Sequence, residues 1–302
     1  MVSLCDKPSH PLCLIVILTC AQLCGFAQSR PANFSAHADL VLVNTTVLNS
    51  KSQFVTGLTR SDFVLRVDRK ATPIAAFSLE TEPVSAAVVV DASRSMKKAV
   101  MEAQAALGAL LGQAWPEDEY GLIICQNSVQ SSVPLTQDFG RILEMIPLLK
   151  AAGSTPLYDS IADAIGMVRK GHNAKKVVIA ITDGEDTSSR LPLLGLYERL
   201  EEADVHLYVI QFWDGSVSDD RFALRDATEN TGGSFFGDVR RKDLVEVMAR
   251  LDVHWQYVIA FRPLAIKRKP VHAIEIRLKS EAGAGKFQIF CRHQFTEDSL
   301  VR

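Results

Sequence analysis

The sequence predicts an α/β fold: a doubly wound, mostly parallel sheet with helices on both faces, flanked by a small β module. Between about residues 84 and 252, short apolar runs alternate with segments whose apolar residues recur at helical spacing. The run Ser85–Val90 is almost continuously apolar, which is typical of a strand buried on both faces of a parallel sheet. Repeated strand–helix alternation predicts helices packed on both sides of one such sheet.

The elements of this central region follow from composition and periodicity. Met96, Val100, Ala103, Leu107 and Leu111 share one face of a predicted helix. The predicted strands are Ser85–Val90, Tyr120–Cys125, a short edge strand at Val129–Leu135, Lys176–Thr182, Val205–Phe212 and Ser234–Phe236. The further predicted helices lie around Ile142–Leu149, after Pro156 through Val168, at Leu191–Ala203, from about Asp220 to Asn230, and at Lys242–Leu251.

Strand-like segments flank the α/β region on both sides, at residues 38–80 and 255–295. They are β-branched or partly alternating runs bounded by turn residues: Asp39–Val47, Phe63–Val67, Pro73–Leu79, Trp255–Phe261, Ala273–Leu278 and Phe287–Cys291. We expect one β module built from both flanks, with the α/β domain of residues 84–252 inserted between them. Two separate β extensions fit the same pattern.

Charge and composition narrow the choice of partner. The chain has 302 residues, 47% hydrophobic and 23% charged, and its 33 basic and 35 acidic residues give a formal net charge of -2. No basic block stands out, so the sequence argues against nucleic acid as a partner.

The first 27 residues have the pattern of a signal peptide. Lys7 and His10 precede the apolar run Leu12–Leu18, and Gly25-Phe26-Ala27 places small residues at the positions that signal peptidase reads. We therefore expect export to the periplasm or the exterior, with cleavage after Ala27. The alternatives are an uncleaved N-terminal anchor, which would be the only membrane contact, and a lipid-modified Cys20 or Cys24.

Four of the six cysteines fall in this leader, so the exported chain would keep only Cys125 and Cys291. Each ends or occupies a strand-like run, which favours a small buried apolar role over a disulfide between them.

The residues that carry chemistry come where predicted strands end and one helix begins. Asp91-Ala92-Ser93-Arg94-Ser95 follows the first buried strand, and its three oxygen-bearing side chains at a spacing of two can point the same way. Thr155 precedes the helix after Pro156, and Asp183 follows the strand Lys176–Thr182. Ligands of open α/β sheets bind at the carboxyl ends of the strands where strand order reverses, so we expect the first strand and the strand ending at Asp183 to be neighbours.

These motifs resemble the von Willebrand factor A family, and the flanks resemble those of its bacterial exported members. The likeness spans about residues 84–252. The family's metal-ion-dependent adhesion site uses Asp-x-Ser-x-Ser with a distant Thr and a distant Asp. The resemblance therefore implies a metal site formed by Asp91, Ser93, Ser95, Thr155 and Asp183. Arg94 stands where many members have glycine, at a position that the motif leaves free.

The resemblance also implies how the site works. Ser93, Ser95 and Thr155 would coordinate one ion directly, and Asp91 and Asp183 would hold its waters. Mg²⁺, or Mn²⁺, suits such hard oxygen ligands. The open coordination position would then take an Asp or Glu carboxylate of a partner protein, which makes the chain a binding module and not an enzyme. Asp159 and Asp186 would at most orient these ligands without contacting the ion themselves.

Several alternatives explain the same residues. Asp91 or Ser95 could only cap a helix, Thr155-Pro156 could be an N-cap followed by proline, and Asp183-Gly184 is a common turn. A metal-dependent hydrolase of the aspartate-nucleophile type usually needs a second aspartate two residues on, where this chain has Ser93. A structural envelope protein with a vestigial site, its cation replaced by Arg94, is the third reading.

Overall fold

The computed structural model describes residues 40–127, 131–212, 223–263, 271–279 and 287–296, and in these ranges it contains fourteen strands and six α-helices. The strands are β1 (Val41–Leu48), β2 (Phe63–Val67), β3 (Lys70–Ala71), β4 (Ile74–Thr81), β5 (Val84–Asp91), β6 (Glu119–Cys125), β7 (Ser131–Thr136), β8 (Lys175–Thr182), β9 (His206–Phe212), β10 (Phe235–Val239), β11 (Trp255–Phe261), β12 (His272–Leu278), β13 (Gln288–Cys291) and β14 (Gln294–Phe295). The helices are α1 (Val100–Leu111), α2 (Gly140–Met145), α3 (Leu157–Val168), α4 (Leu193–Ala203), α5 (Ala223–Glu229) and α6 (Leu244–Arg250).

The predicted leader, its four cysteines and the start of the helix predicted from Asp220 lie outside the described residues. None of the helices in the described ranges is long and apolar enough to span a membrane.

The central sheet has six strands in the order β10-β9-β8-β5-β6-β7. All neighbouring pairs are parallel except β6 and β7, so the predicted edge strand returns antiparallel beside β6. β5 lies between β6 and β8, and strand order therefore reverses at β5. The predicted mostly parallel α/β sheet is confirmed.

Helices cover both faces of this sheet because the strands are apolar on both sides. Ala86, Val88 and Val90 of β5 pack in one core with residues of α1 and α6. Ala87 and Val89, which point the other way, pack in a second core with α3 and α4. This alternation explains why all eight residues of β5 are buried.

Strands from the two flanks share sheets. β1 pairs with β11 and β13, and β11 also pairs with β4. β12 pairs with β2 and β14, and β2 pairs with β3. The two four-stranded sheets enclose a third core in which Tyr257 is fully buried against Phe54, Phe63 and Phe77.

A few predicted boundaries were wrong. The α-helix predicted around Ile142–Leu149 ends at Met145 and continues as a 3-10 turn over Ile146–Leu148, because Pro147 lacks the N–H that a continuing α-helix would use. The strand predicted at Ser234–Phe236 begins and ends later, at Phe235 and Val239. The two-residue strands β3 and β14 are too short to give a sequence pattern.

Candidate metal centre

The candidate site lies at the carboxyl ends of β5 and β8. The two strands are parallel neighbours, and Val90 is paired with Ile181. Asp91, the last residue of β5, therefore comes beside Thr182, the last residue of β8, as the sequence predicted for these two strand ends. The site stands at the point where the order of the strands reverses.

Asp91 is the buried centre of this arrangement. Its side chain has no solvent exposure. Oδ1 accepts a hydrogen bond from the backbone N–H of Ser93 at 2.9 Å, and Oδ2 accepts one from the Thr182 hydroxyl at 2.8 Å. Burial, together with the nearby charge of Asp183, raises the pKa of Asp91 to about 7, although these hydrogen bonds work to lower it.

Ser93 and Ser95 place two hydroxyls side by side. Their Oγ atoms lie 2.9 Å apart, which is the juxtaposition that the spacing of two predicted. Neither serine acts as a helix cap: the 3-10 turn Ser95–Lys98 and helix α1 each begin without a side-chain cap. The capping explanation for Asp91 and Ser95 is therefore wrong, and their oxygens face other partners.

Thr155 is brought to the site by backbone hydrogen bonds between loops. The Arg94 N–H donates to Gly153 O at 3.2 Å, and the Ala152 N–H donates to Ala92 O at 2.9 Å. Thr155 is 2% exposed and bonds Thr187 through its own backbone: its N–H donates to the Thr187 hydroxyl, and its carbonyl accepts from the Thr187 N–H. The loop before α3 is thus tied to both the β5 and the β8 loops.

Thr155 does not cap α3 as the alternative interpretation required. Pro156 itself occupies the N-cap position and makes no capping bond with a side chain. Asp186 takes that role across the loop, because its Oδ1 accepts from the N–H groups of Leu157 and Tyr158. Asp159 accepts in turn from the N–H groups of two residues further along the same loop, Arg190 and Leu191.

Asp183 is partly exposed and is oriented by its own loop. Its Oδ1 accepts from the Glu185 N–H at 3.2 Å, and its carbonyl oxygen accepts from Gln211 Nε2 at 3.1 Å. Gly184 has a φ of +91°, a left-handed conformation that glycine adopts without strain, so Asp183-Gly184 is also the turn that the sequence suggested.

Thr182 and Gln211 contact the site but were not predicted from the sequence. Thr182 was readable only as the residue before Asp183, and Gln211 gave no signal.

The donor set fits a hard cation. In the part of the chain that the structure describes, no group of three His, Cys, Asp or Glu side chains is arranged to hold a metal ion. The site instead offers carboxylate and hydroxyl oxygens, and the mutual repulsion of Asp91 and Asp183 is what a divalent cation relieves. Whether the five residues coordinate a metal remains a prediction.

A comparison with protein families covers this same region. Residues 86–185 match the family model described as the von Willebrand factor type A domain. Residues 86–185 are therefore similar to a von Willebrand factor type A domain. The matched residues include all five candidate ligands, and the resemblance found in the sequence is confirmed. A search of curated proteins gave no match.

Solved structures resemble the A-type domain in fold. A von Willebrand factor type A protein from Catenulispora acidiphila is 13% identical, with 87% of this chain and 74% of that chain covered at a TM-score of 0.50. The SpRpn10 VWA domain is 17% identical over 57% of this chain and 99% of its own, with a TM-score of 0.47. An aerotolerance-related membrane protein from Bacteroides fragilis is 16% identical over 56% of this chain and 100% of its own, with a TM-score of 0.41.

Arg94 does not fill the centre of the A-type domain's site. The residue is exposed, and its backbone N–H is bound to Gly153 O. Both carboxylate oxygens of Asp91 are engaged by Ser93 and Thr182 instead. The Arg94 side chain is therefore exposed, and it is not among the groups that hold the Asp91 carboxylate.

Proposed function

We propose that the chain is an exported protein-binding module that holds one Mg²⁺ or Mn²⁺ and docks a partner's Asp or Glu carboxylate on it. The observation that carries the proposal is the buried Asp91 carboxylate at the β5–β8 junction, with the hydroxyls of Ser93 and Ser95 side by side next to it. Domains of this family commonly bind protein partners. Export is supported by the signal-peptide pattern of residues 1–27.

Each residue has a definite part in this proposal. Ser93, Ser95 and Thr155 would hold the cation through neutral hydroxyls, and Asp91 and Asp183 would supply the balancing charge. When bound, the cation supplies an electron-poor centre that attracts an anionic oxygen. Thr182 holds Asp91 Oδ2, so the carboxylate cannot rotate without losing a hydrogen bond. Asp186 ties the loop after β8 to the start of α3, two residues after Thr155.

A binding role accounts for these residues better than hydrolysis does. The position two residues after Asp91 is Ser93, so the chain lacks the second aspartate of aspartate-nucleophile hydrolases. Asp91 Oδ1 is engaged by the Ser93 N–H and Oδ2 by Thr182, and full burial leaves this carboxylate poorly placed to attack a substrate. We therefore propose that the protein is not an enzyme.

Thermal unfolding of the protein with and without Mg²⁺ or Mn²⁺ tests the metal site. A ligand bound only by the folded state stabilises it by about 2.7 kcal/mol at a hundred times its Kd. We expect a metal-dependent rise in Tm that Asp91→Ala and Asp183→Ala lose. Glu198→Ala, at an exposed carboxylate on α4, should retain it.

The absence of any rise would point to a vestigial site, and Arg94→Gly separates two causes. If that variant gains a metal-dependent rise, the exposed arginine opposes the cation. If it does not, the ligand set itself fails and the proposal is wrong.

A further inference from the structure

A groove of about 570 Å³ opens beside the candidate metal centre. One wall comes from α3 and the loop before it, and the other comes from the segment that leads from the β8 loop into α4. Ser154, next to the candidate ligand Thr155, belongs to its lining. The residues that matter for its chemistry are Asn127, Ser154, Asp159, Asp163, Arg190 and Arg199.

Part of this groove is fixed by hydrogen bonds within the chain. The two Asp159 oxygens accept from the backbone N–H groups of Arg190 and Leu191, each at 2.9 Å. The Ser188 hydroxyl donates to Ser154 Oγ, and Asn127 Oδ1 accepts from the Ser154 N–H. The Asp159 oxygens therefore hold this wall of the groove in place, and these hydrogen bonds give the groove a defined shape.

The positive charges of the groove are not committed in this way. Arg190 and Arg199 are exposed. Within the described ranges, no carboxylate lies at ion-pair distance from either guanidinium. Helix α4 begins after Pro192 without a side-chain cap, so the positive end of its dipole faces the same segment. Two acidic side chains of the lining oppose these charges, the exposed Asp163 and the hydrogen-bonded Asp159.

We propose that the groove binds a second carboxylate of the partner, on Arg190 and Arg199, a few residues from the one on the cation. The inference rests on the proposed function and specifies its ligand: a peptide segment with two acidic residues. Two exposed arginines suit a carboxylate because the guanidinium donates two parallel hydrogen bonds to it. The groove's volume suits a few residues of extended chain, which advances about 3.3 Å per residue.

Synthetic peptides of glycine and serine test this in Mg²⁺ with the purified full chain. One peptide carries a single Asp, and the others add a Glu about two to four residues away on either side. Binding is followed by fluorescence anisotropy of a dye at the peptide terminus. We expect at least one two-acid peptide to bind about two- to ten-fold more tightly than its Glu→Gln partner, as exposed ion pairs allow.

Substitutions of groove residues test whether the groove causes this preference. Arg190→Ala with Arg199→Ala should abolish the preference while leaving the single-Asp peptide bound. Arg169→Ala, an exposed arginine at the other end of α3, is the matched control and should retain it. Asp163→Asn should increase the preference, since it removes one of the two negative charges that oppose the arginines.

The failures of the two proposals differ. Equal Mg²⁺-dependent binding of the one-acid and two-acid peptides, or a preference that survives loss of both arginines, overturns the groove and leaves the metal-docked carboxylate standing. If no peptide binds in a Mg²⁺-dependent way, the proposed function fails and the groove inference fails with it.

Discussion

The Asp118 carboxylate and the His254 ring form a buried pair, with Oδ2 and Nε2 2.9 Å apart and side chains 0% and 6% exposed. Asp118 also accepts from the N–H groups of Val84 and Trp115, and the Trp115 ring stacks on His254 with ring centres 4.1 Å apart. Val84 begins β5, and His254 directly precedes β11. The pair thus joins the start of β5 in the central sheet to the segment just before β11, where the chain enters the β module.

We expect His254→Gln to destabilise the protein by about 1–3 kcal/mol, the typical cost of a lost partner in a buried pair. The loss should be larger at low pH. Burial favours the neutral ring, but hydrogen bonds with Asp118 and Asp252 outweigh it and raise the pKa of His254. The charged ring therefore contributes stability fully below the unfolded pKa of about 6.5, and the contribution disappears as pH rises through the folded pKa.

Urea unfolding of wild type and variant across this pH range measures the effect. The difference between them is the quantity to follow, because Lys175 nearby titrates as well: burial lowers its pKa to about 7. A His254→Gln deficit that stays constant or grows with pH would contradict the assignment.

Thr182→Val should weaken both the fold and the metal response. The hydroxyl donates to Asp91 Oδ2 and accepts from the Gly184 N–H, so valine leaves two buried polar groups without this partner. We expect a loss of about 1–3 kcal/mol in the free energy of unfolding and a smaller Mg²⁺-dependent rise in Tm. Thr182→Ser keeps the hydroxyl and should retain most of both. Equal behaviour of the two variants would show that the hydroxyl is not what holds Asp91.

Gly184→Ala should displace the Asp183 loop. The left-handed backbone costs a non-glycine residue about 1–2 kcal/mol, and the added Cβ would lie 2.2 Å from Gln211 Nε2. Unfolding free energies of Gly184→Ala, Gln211→Ala and the double variant form a cycle that measures the coupling. We expect the double variant to lose less than the sum, since shortening Gln211 removes the clash but not the backbone strain. Strict additivity would mean that the two side chains do not meet.

The Cys125 thiol should resist labelling in the folded protein. It is buried, and burial together with the charge of Asp91 raises the pKa of the thiol, so little thiolate forms at neutral pH. Cys291 is likewise a buried free cysteine. With residues 1–27 removed, we expect a thiol reagent to react with the two cysteines only after urea unfolding. Fast labelling under native conditions would show that the β6 end opens far more readily than the core around it.

Much of the fold was predictable because buried parallel strands have a simple pattern. Val84–Asp91 and Lys175–Thr182 are apolar on both faces, and their bounds were predicted to within about a residue. The apolar face of α3 likewise showed in the sequence through Leu157, Ile161 and Ile165. These features depend on local composition and periodicity, which are visible without any knowledge of long-range pairing.

The sequence by itself determined the α/β class, because buried strands and amphipathic helices have local patterns. Its resemblance to the von Willebrand factor A family singled out the five oxygen-bearing residues of the candidate site. Only the tertiary structure decided which groups contact these residues: Thr182 donates a hydrogen bond to Asp91, and Gln211 donates one to the Asp183 carbonyl. It also decided that β1 pairs with both β11 and β13. These contacts join residues that are often far apart in the chain. Their partners are selected by strand order and loop packing, which no single segment of sequence encodes.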